Sequence, residues 1–465
     1  MAYSSFKQSG LDGFKSKKIK RILGNPPQSP TGVSAVDIGT NRPYNNGSAS
    51  VSFTAPTEGE VASSYRVVSS PGSIVATGTT SPIVITGLQS NTQYTFVVNS
   101  VNAVGTSENS VPSNSITATT VPEAPTITSV THGFEKVTVA FSANGTGGKA
   151  ISSYSVIPSA GSTQTGVSSP INITSLTAGT SYTFTATATN DNGTSAASST
   201  SNSATPFTAT GGTVTTYTGF RVHTFTGTSA FTLTGNSALI DYLVVAAGGG
   251  GGRGCCGGAA GGGGAGGMLQ GSNYSINSGT YTTTVGGGGA GNTGSTGANG
   301  GVSSIGSLIS STGGGGGGRS GLTGSNGGSG GGGGQSNSAG TGISGQGNNG
   351  GTSVAGYSGG GGGGAGAAGS GPKGGDGTSN NIRTGSSEFY AGGGGAGNHN
   401  SEPRNNNGGI GGGGNGGDGF YGNGRANISA GTANTGGGGG GAVEENGDYN
   451  GEPGGSGIIV IRYAT

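Results

Sequence analysis

Few residues of this 465-residue chain have side chains suited to acid–base or metal chemistry: His132, His223 and His399, the adjacent Cys255 and Cys256, and the acidic group Glu444, Glu445 and Asp448. His223 falls in a stretch of alternating apolar residues, where a structural imidazole is expected. His399 lies in the polar segment Asn398-His-Asn-Ser-Glu-Pro-Arg404, which suits contact with a ligand. Two neighbouring cysteines cannot form a disulfide framework and are expected as small buried thiols. The acidic group lacks the oxygen-ligand spacing of a calcium loop and reads as a solvated loop. No carboxylate pair stands out for glycoside hydrolysis. Matches to Gly-x-Gly-x-x-Gly recur by chance, and none joins a strand to a helix with an acid about 20 residues later. Gly371-Pro-Lys-Gly-Gly-Asp-Gly reads as a turn. The expectation is a protein without catalytic residues, metal or cofactor.

What, then, must these residues sit on? Glycine accounts for 113 residues, 24 before Gly248 and 89 from there to Thr465. Prolines number 16 and no strict Gly-X-Y period appears, which excludes collagen. A net charge of +1 gives no global field for nucleic acid or a membrane surface, and no apolar run is long enough to span a bilayer. The composition divides the chain into a head at 1–28, two β-rich domains at 29–120 and 121–207, and a glycine-rich domain at 208–465. The expected class is all-β.

The head carries Lys7, Lys15, Lys17, Lys18, Lys20 and Arg21 against a single acid, Asp12. It has no apolar core of a secretory signal. With Phe6, Leu11, Phe14, Ile19 and Ile22 among the cations, it is expected to order on a larger acidic assembly. Its anchor candidates are Phe6, Lys7, Phe14, Lys15, Lys17, Lys18, Lys20 and Arg21.

Residues 29–207 repeat with a period of 88: Phe53 aligns with Phe141, Leu88 with Leu176, Tyr94 with Tyr182 and Phe96 with Phe184. The apolar residues of Lys136-Val-Thr-Val-Ala-Phe-Ser and Thr92-Gln-Tyr-Thr-Phe-Val-Val alternate, as in strands buried on one face. The two Leu-x-x-x-Thr-x-Tyr-x-Phe runs, with Asn102-Ala-Val-Gly-Thr-Ser and Asn190-Asp-Asn-Gly-Thr-Ser, resemble the fibronectin type III family. The resemblance implies a β-sandwich with a tyrosine corner. Phe53 and Phe141 stand where that family usually has tryptophan. These modules carry no convergent polar cluster and read as spacers, with Pro122-Glu-Ala-Pro125 as a short stiff linker.

In the last domain, Tyr217–Thr226, Ala230–Thr234 and Ala238–Ala246 read as strands, and Gly457-Ile-Ile-Val-Ile-Arg-Tyr463 as another. The final strand is expected to pair with 239–246 and close a small sandwich. Between them lie nine runs of four or more glycines. They could be flexible coil or a bundle of polyproline II-type helices, with three residues per turn, paired between runs. The aromatic residues between the runs and the framing strands favour the bundle, with the intervening segments presented as loops at its ends.

The entry Tyr242-Leu-Val-Val-Ala-Ala-Gly-Gly-Gly-Gly-Gly and the exit Gly454-Gly-Ser-Gly-Ile-Ile-Val-Ile-Arg-Tyr463 resemble the glycine-rich domains of bacteriophage tail-fibre and adhesin proteins. This resemblance implies a virion protein. Its head would bind other virion proteins, and its loops a host surface glycan or outer-membrane receptor, with no nucleic acid partner. Such fibres are often homotrimers, though tip adhesins of this kind can be single chains. The candidate receptor-binding residues are Tyr274, Tyr281, Tyr357, Phe389, Tyr390, His399, Arg404, Phe420, Tyr421, Arg425 and Tyr449, whose rings suit sugar faces and whose polar groups suit hydroxyls. The alternative is a capsid or neck decoration with no dedicated receptor. An ice-binding role would want flat, regular threonine rows, which the irregular segments do not supply.

Overall fold

The computed structural model describes residues 25–291, 294–354, 356–399, 405–419, 427–444 and 449–465. Residues 1–24 of the head with all its anchor candidates, and Arg404, Phe420, Tyr421, Arg425, Glu445 and Asp448, lie outside the described residues. Every described element is a β-strand. The chain divides into two units: one holds both sandwiches, and the other holds 206–465 together with the short segments 133–135 and 177–180.

In the first sandwich, alternation places one face of each strand in the core. Thr31–Asp37, Gly47–Thr54 and Ile83–Leu88 form one sheet. The other contains Val75–Gly78, Ser64–Ser70, Thr92–Val101 and Ile116–Ala118. Val51, Phe53, Ile85, Leu88, Tyr94 and Phe96 fill the space between them. The second sandwich repeats the topology, and Val139, Phe141, Ile173, Leu176, Tyr182 and Phe184 take the same places. The phenylalanines that stand where the family usually has tryptophan each pack against a tyrosine: Phe53 lies 4.7 Å from Tyr65 and Phe141 4.9 Å from Tyr154, ring centre to ring centre. At the expected corner, the Gln89 N–H donates to the Tyr94 hydroxyl at 3.0 Å.

The joint between the sandwiches is more than a stiff linker. Asn190 and Asn192 are buried there; their amide groups donate to the Thr120 carbonyl at 2.9 and 3.1 Å, and Asn192 also reaches Thr119 Oγ1 at 2.7 Å. Backbone bonds from Asn41 to Asn192 and from Thr120 to Gly147 add to this. Buried amides with their bonds made resist opening, because an unpaired one costs roughly 1–3 kcal/mol.

The glycine-rich unit begins as a sandwich of two five-stranded sheets. One has the order Thr213–Tyr217, Phe220–Phe225, Ile458–Ala464, Ala238–Val245, Met268–Ile276. The expected pairing of exit and entry strands is present, with Ile458 opposite Val245 and Arg462 opposite Asp241. The single strand expected over Tyr217–Thr226 is instead broken by a turn at Gly219, whose φ of 80° favours glycine. The glycine region is itself interrupted by strands. It returns to lay down Met268–Ile276, Gly279–Thr284, Ser303–Ile305 and Ile309–Ser311.

The exit strand explains its own polar residues. Arg462 donates to Asp241 Oδ2 at 2.6 and 3.0 Å and to the Tyr217 hydroxyl at 2.5 Å. Tyr463 packs on Phe134 and Phe207, and its hydroxyl lies 2.9 Å from His223 Nε2.

Beyond this sandwich the glycines form a lattice. The run 248–252 shows its rule. Gly248 and Gly251 donate their N–H groups to Gly455 and Glu452, Gly249 and Gly252 to Gly264 and Gly261, and Gly250 to Ala298, at 2.9–3.0 Å. Partners recur every third residue, as a helix of three residues per turn demands. They lie on different segments of the chain, so this run is tied on several sides. The lattice also recruits Ser325, Asn348, Ser429 and Glu452, which lie outside the nine runs.

Candidate functional site

Successive segments of the bundle go out and come back, some as glycine runs and some, such as 324–328 between the parallel runs 313–318 and 330–334, with fewer glycines, and so divide what lies between them into two groups. From the strand Ala238–Val245 the chain runs out through 248–252 to the turn at Arg253–Gly258. It returns through 261–264 to Met268–Ile276. The sandwich therefore marks a strand end of the bundle, and the first turn marks the opposite, loop end. A six-residue run spans roughly 19 Å at about 3.1 Å per residue.

Hydrogen bonds tie the loop end together. Tyr449 and Gly254 exchange backbone bonds at 3.0 and 3.2 Å, and the Gly257 N–H donates to Glu444 Oε2 at 2.6 Å. Gln335 accepts from the Ala259 N–H at 3.1 Å and donates to the Gly356 carbonyl at 2.9 Å. His399 N–H donates to the Tyr357 carbonyl at 2.8 Å, and Gly419 N–H to Asn398 at 2.9 Å. Tyr357, His399 and Tyr449 thus share one end of the bundle. The Tyr357 residue is 52% exposed, which leaves a ring face available to a ligand.

The other described candidates lie elsewhere. Tyr274 and Tyr281 stand on strands of the sandwich and pack against its core; the Tyr281 hydroxyl donates to the Asn277 carbonyl at 2.9 Å. Tyr390 is 2% exposed, so it offers no ring face, which corrects its place among the candidates. Its hydroxyl donates to Glu388, and burial pushes its pKa upward. Phe389, its neighbour on the same short strand, is 47% exposed but belongs to the strand end. These residues interrupt glycine just as Tyr357 does; the direction of the preceding run decides which end they occupy.

Sequence reasoning missed Arg253, Gln335 and Asp418 at the loop end. Counting the runs would not have found them, because return segments such as 324–328 carry too few consecutive glycines to count as runs. The cysteines also need correcting: Cys255 is buried but Cys256 is exposed, and both are free thiols with sulfurs 3.1 Å apart. Burial, followed by the hydrogen bond from Cys256, pushes the Cys255 pKa upward. Among the described residues, no three or more His, Cys, Asp or Glu gather as a metal set. The loop end presents an aromatic face, an imidazole, guanidinium and amide groups, a set suited to binding a polar ligand.

Comparison with known proteins bears on both units. The glycine-rich domain family model matches residues 223–464. The chain belongs to the glycine-rich domain family. A fibronectin type III domain matches residues 29–116 of this glycine-rich protein. Its second sandwich shares that topology, with its strands in the same order. Exoglucanase B of Cellulomonas fimi is 31% identical over 189 residues, covering 38% of this chain and 16% of the exoglucanase. The chain thus aligns with a small part of that relative's length. Among solved structures, the FN1–FN3 domains of chicken CNTN1 are 15% identical, covering 56% of this chain and 93% of that one, with a TM-score of 0.25. Titin kinase and its flanking domains are 16% identical, covering 26% and 28%, with a TM-score of 0.18.

Proposed function

We propose that this chain is a non-enzymatic surface-binding protein, a bacteriophage virion fibre or adhesin. In this reading the head joins other virion proteins and the sandwiches serve as a spacer. The loop end of the glycine bundle contacts a host surface glycan. The observation that supports it best is the gathering of Tyr357, His399 and Tyr449 at one end of a hydrogen-bonded scaffold. Loops held on a rigid frame are where binding usually resides, and an exposed ring beside polar groups suits a sugar's apolar face and hydroxyls.

The test is competition. Purified full-length protein should block adsorption of the virion that carries it in a dose-dependent manner. Tyr357→Ala should weaken the block about tenfold, the equivalent of roughly 1.4 kcal/mol. Undiminished adsorption at saturating protein would leave the chain as a structural fibre.

A further inference from the structure

A cleft of about 300 Å3 opens on the glycine-rich unit beside the strand Met268–Ile276, at the strand end of the bundle. Met268, Leu269, Gln270, Gln346, Asn348 and Thr378 are among the residues that line it. Its size is at the lower limit of small-molecule pockets, roughly 300–1,000 Å3.

Three amide side chains in this wall are each half committed to the fold. Gln346 Oε1 accepts from the Thr312 N–H at 2.8 Å, and the Gln346 backbone carbonyl accepts from Met268 at 2.9 Å. Gln270 Oε1 accepts from Asn380 Nδ2 at 2.7 Å. Asn348 Nδ2 donates to the carbonyls of Gly364 and Ala365 at 2.9 and 3.0 Å. These bonds fix the amides in place. They leave the NH2 groups of Gln346 and Gln270, the oxygen of Asn348 and the Thr378 hydroxyl without a partner among the described residues.

We infer that this cleft is a binding subsite for a neutral carbohydrate, separate from the loop end. No titratable side chain lines it, so a charged ligand would lose hydration with no compensating charge. The free groups comprise two donors, one acceptor and a hydroxyl that serves as either. Sugar hydroxyls likewise donate and accept, so neighbouring hydroxyls on one ring can meet all four. Met268 and Leu269 supply apolar surface for the C–H edge of the ring. Pre-ordered amides lower the entropy cost of binding, since the fold has already restricted their rotation.

The experiment is saturation-transfer NMR on the full chain with maltose, lactose, mannobiose and chitobiose, and with glucuronic acid as the charged control. At least one neutral disaccharide should receive saturation. Gln346→Glu and Gln270→Glu each keep the oxygen that the fold uses but replace the free donor by an acceptor. Each should weaken binding about tenfold or more. Thr378→Val, which removes one hydroxyl, should weaken it as well and covers the case in which a glutamate variant fails to fold. Tyr357→Ala should leave this binding unchanged, which separates the cleft from the loop-end reading. Saturation of none of the neutral disaccharides would overturn the inference. So would disaccharide binding that all three cleft variants leave intact, or preference for the charged sugar.

Discussion

His223 is fully buried, with Nδ1 2.7 Å from the Gly211 carbonyl and Nε2 2.9 Å from the Tyr463 hydroxyl. Burial lowers its pKa, the Gly211 bond opposes this, and the nearby Arg221 charge lowers it further. The unfolded imidazole titrates near ~6.5. A depressed folded pKa means that the unfolded chain takes up the proton first. Stability is therefore complete above pH ~6.5 and is lost as pH falls toward the folded value. Asp376 and Glu388 are also depressed, mainly by hydrogen bonds from Lys373 and Arg383, and weaken the fold only near and below the carboxylate range of about 4. Melting of the glycine-rich unit should accordingly fall in two steps with acid. His223→Gln should flatten the upper step and leave the lower one. An unchanged upper step would assign that loss to another group. His223 was legible as a structural residue from its alternating stretch. Its partner Tyr463 was not, because 240 residues separate them and no local pattern encodes that pairing.

Among the elements, the sandwiches show where sequence reading works and where it stops. Strand alternation and the 88-residue repeat located both cores, because burial of one face imposes a period of two. The segment after each Phe96-type strand has no such pattern. Ser107, Ser110 and Ser113 in the first sandwich, and Ser195, Ser198 and Ser201 in the second, place hydroxyls on the N–H groups of alternate strand residues. The bonds to Ser100, Val98, Phe96, Ala188, Ala186 and Phe184 measure 2.9–3.0 Å. A serine every third residue thus replaces an ordinary strand edge. That spacing was visible in the sequence, but serine abundance hid it. Ser110→Ala would leave the Val98 N–H without its hydroxyl acceptor in a buried place. It should cost about 1–3 kcal/mol of sandwich stability by denaturant titration, whereas Ser199→Ala, outside the series, should change little. Equal effects would mean that these hydroxyls do not hold the edge.

For the molecule as a whole, the question is why a region so rich in glycine should be ordered at all. Glycine loses more freedom on folding than any other residue, and a hydrogen bond returns only about 1 kcal/mol net. The lattice offsets this by pairing its backbone groups across many runs at once, so its order is collective. Sequence showed the runs and their framing strands. It could not show which run touches which, because one glycine run is interchangeable with another until the chain is threaded. The structure makes the consequence specific to position. A Cβ on buried Gly251 would lie 1.9 Å from the Gly440 oxygen, a backbone atom that cannot swing aside. A Cβ on exposed Gly287, inside the run 286–289, would meet nothing within 4 Å, and its φ is not in the left-handed region. Gly251→Ala should therefore cost at least the roughly 1–3 kcal/mol of an overpacked core. It should also speed amide exchange in the partner runs around Gly440, Gly264 and Gly455. Gly287→Ala should be neutral, or stabilise by up to about 1 kcal/mol through its less flexible unfolded chain. Because the two substitutions make the same chemical change in near-identical sequence, a difference in exchange would come from the lattice. Equal and fast exchange in both variants and in the parent would mean that the glycines are coil, and the loop end would lose the frame that holds Tyr357 beside His399.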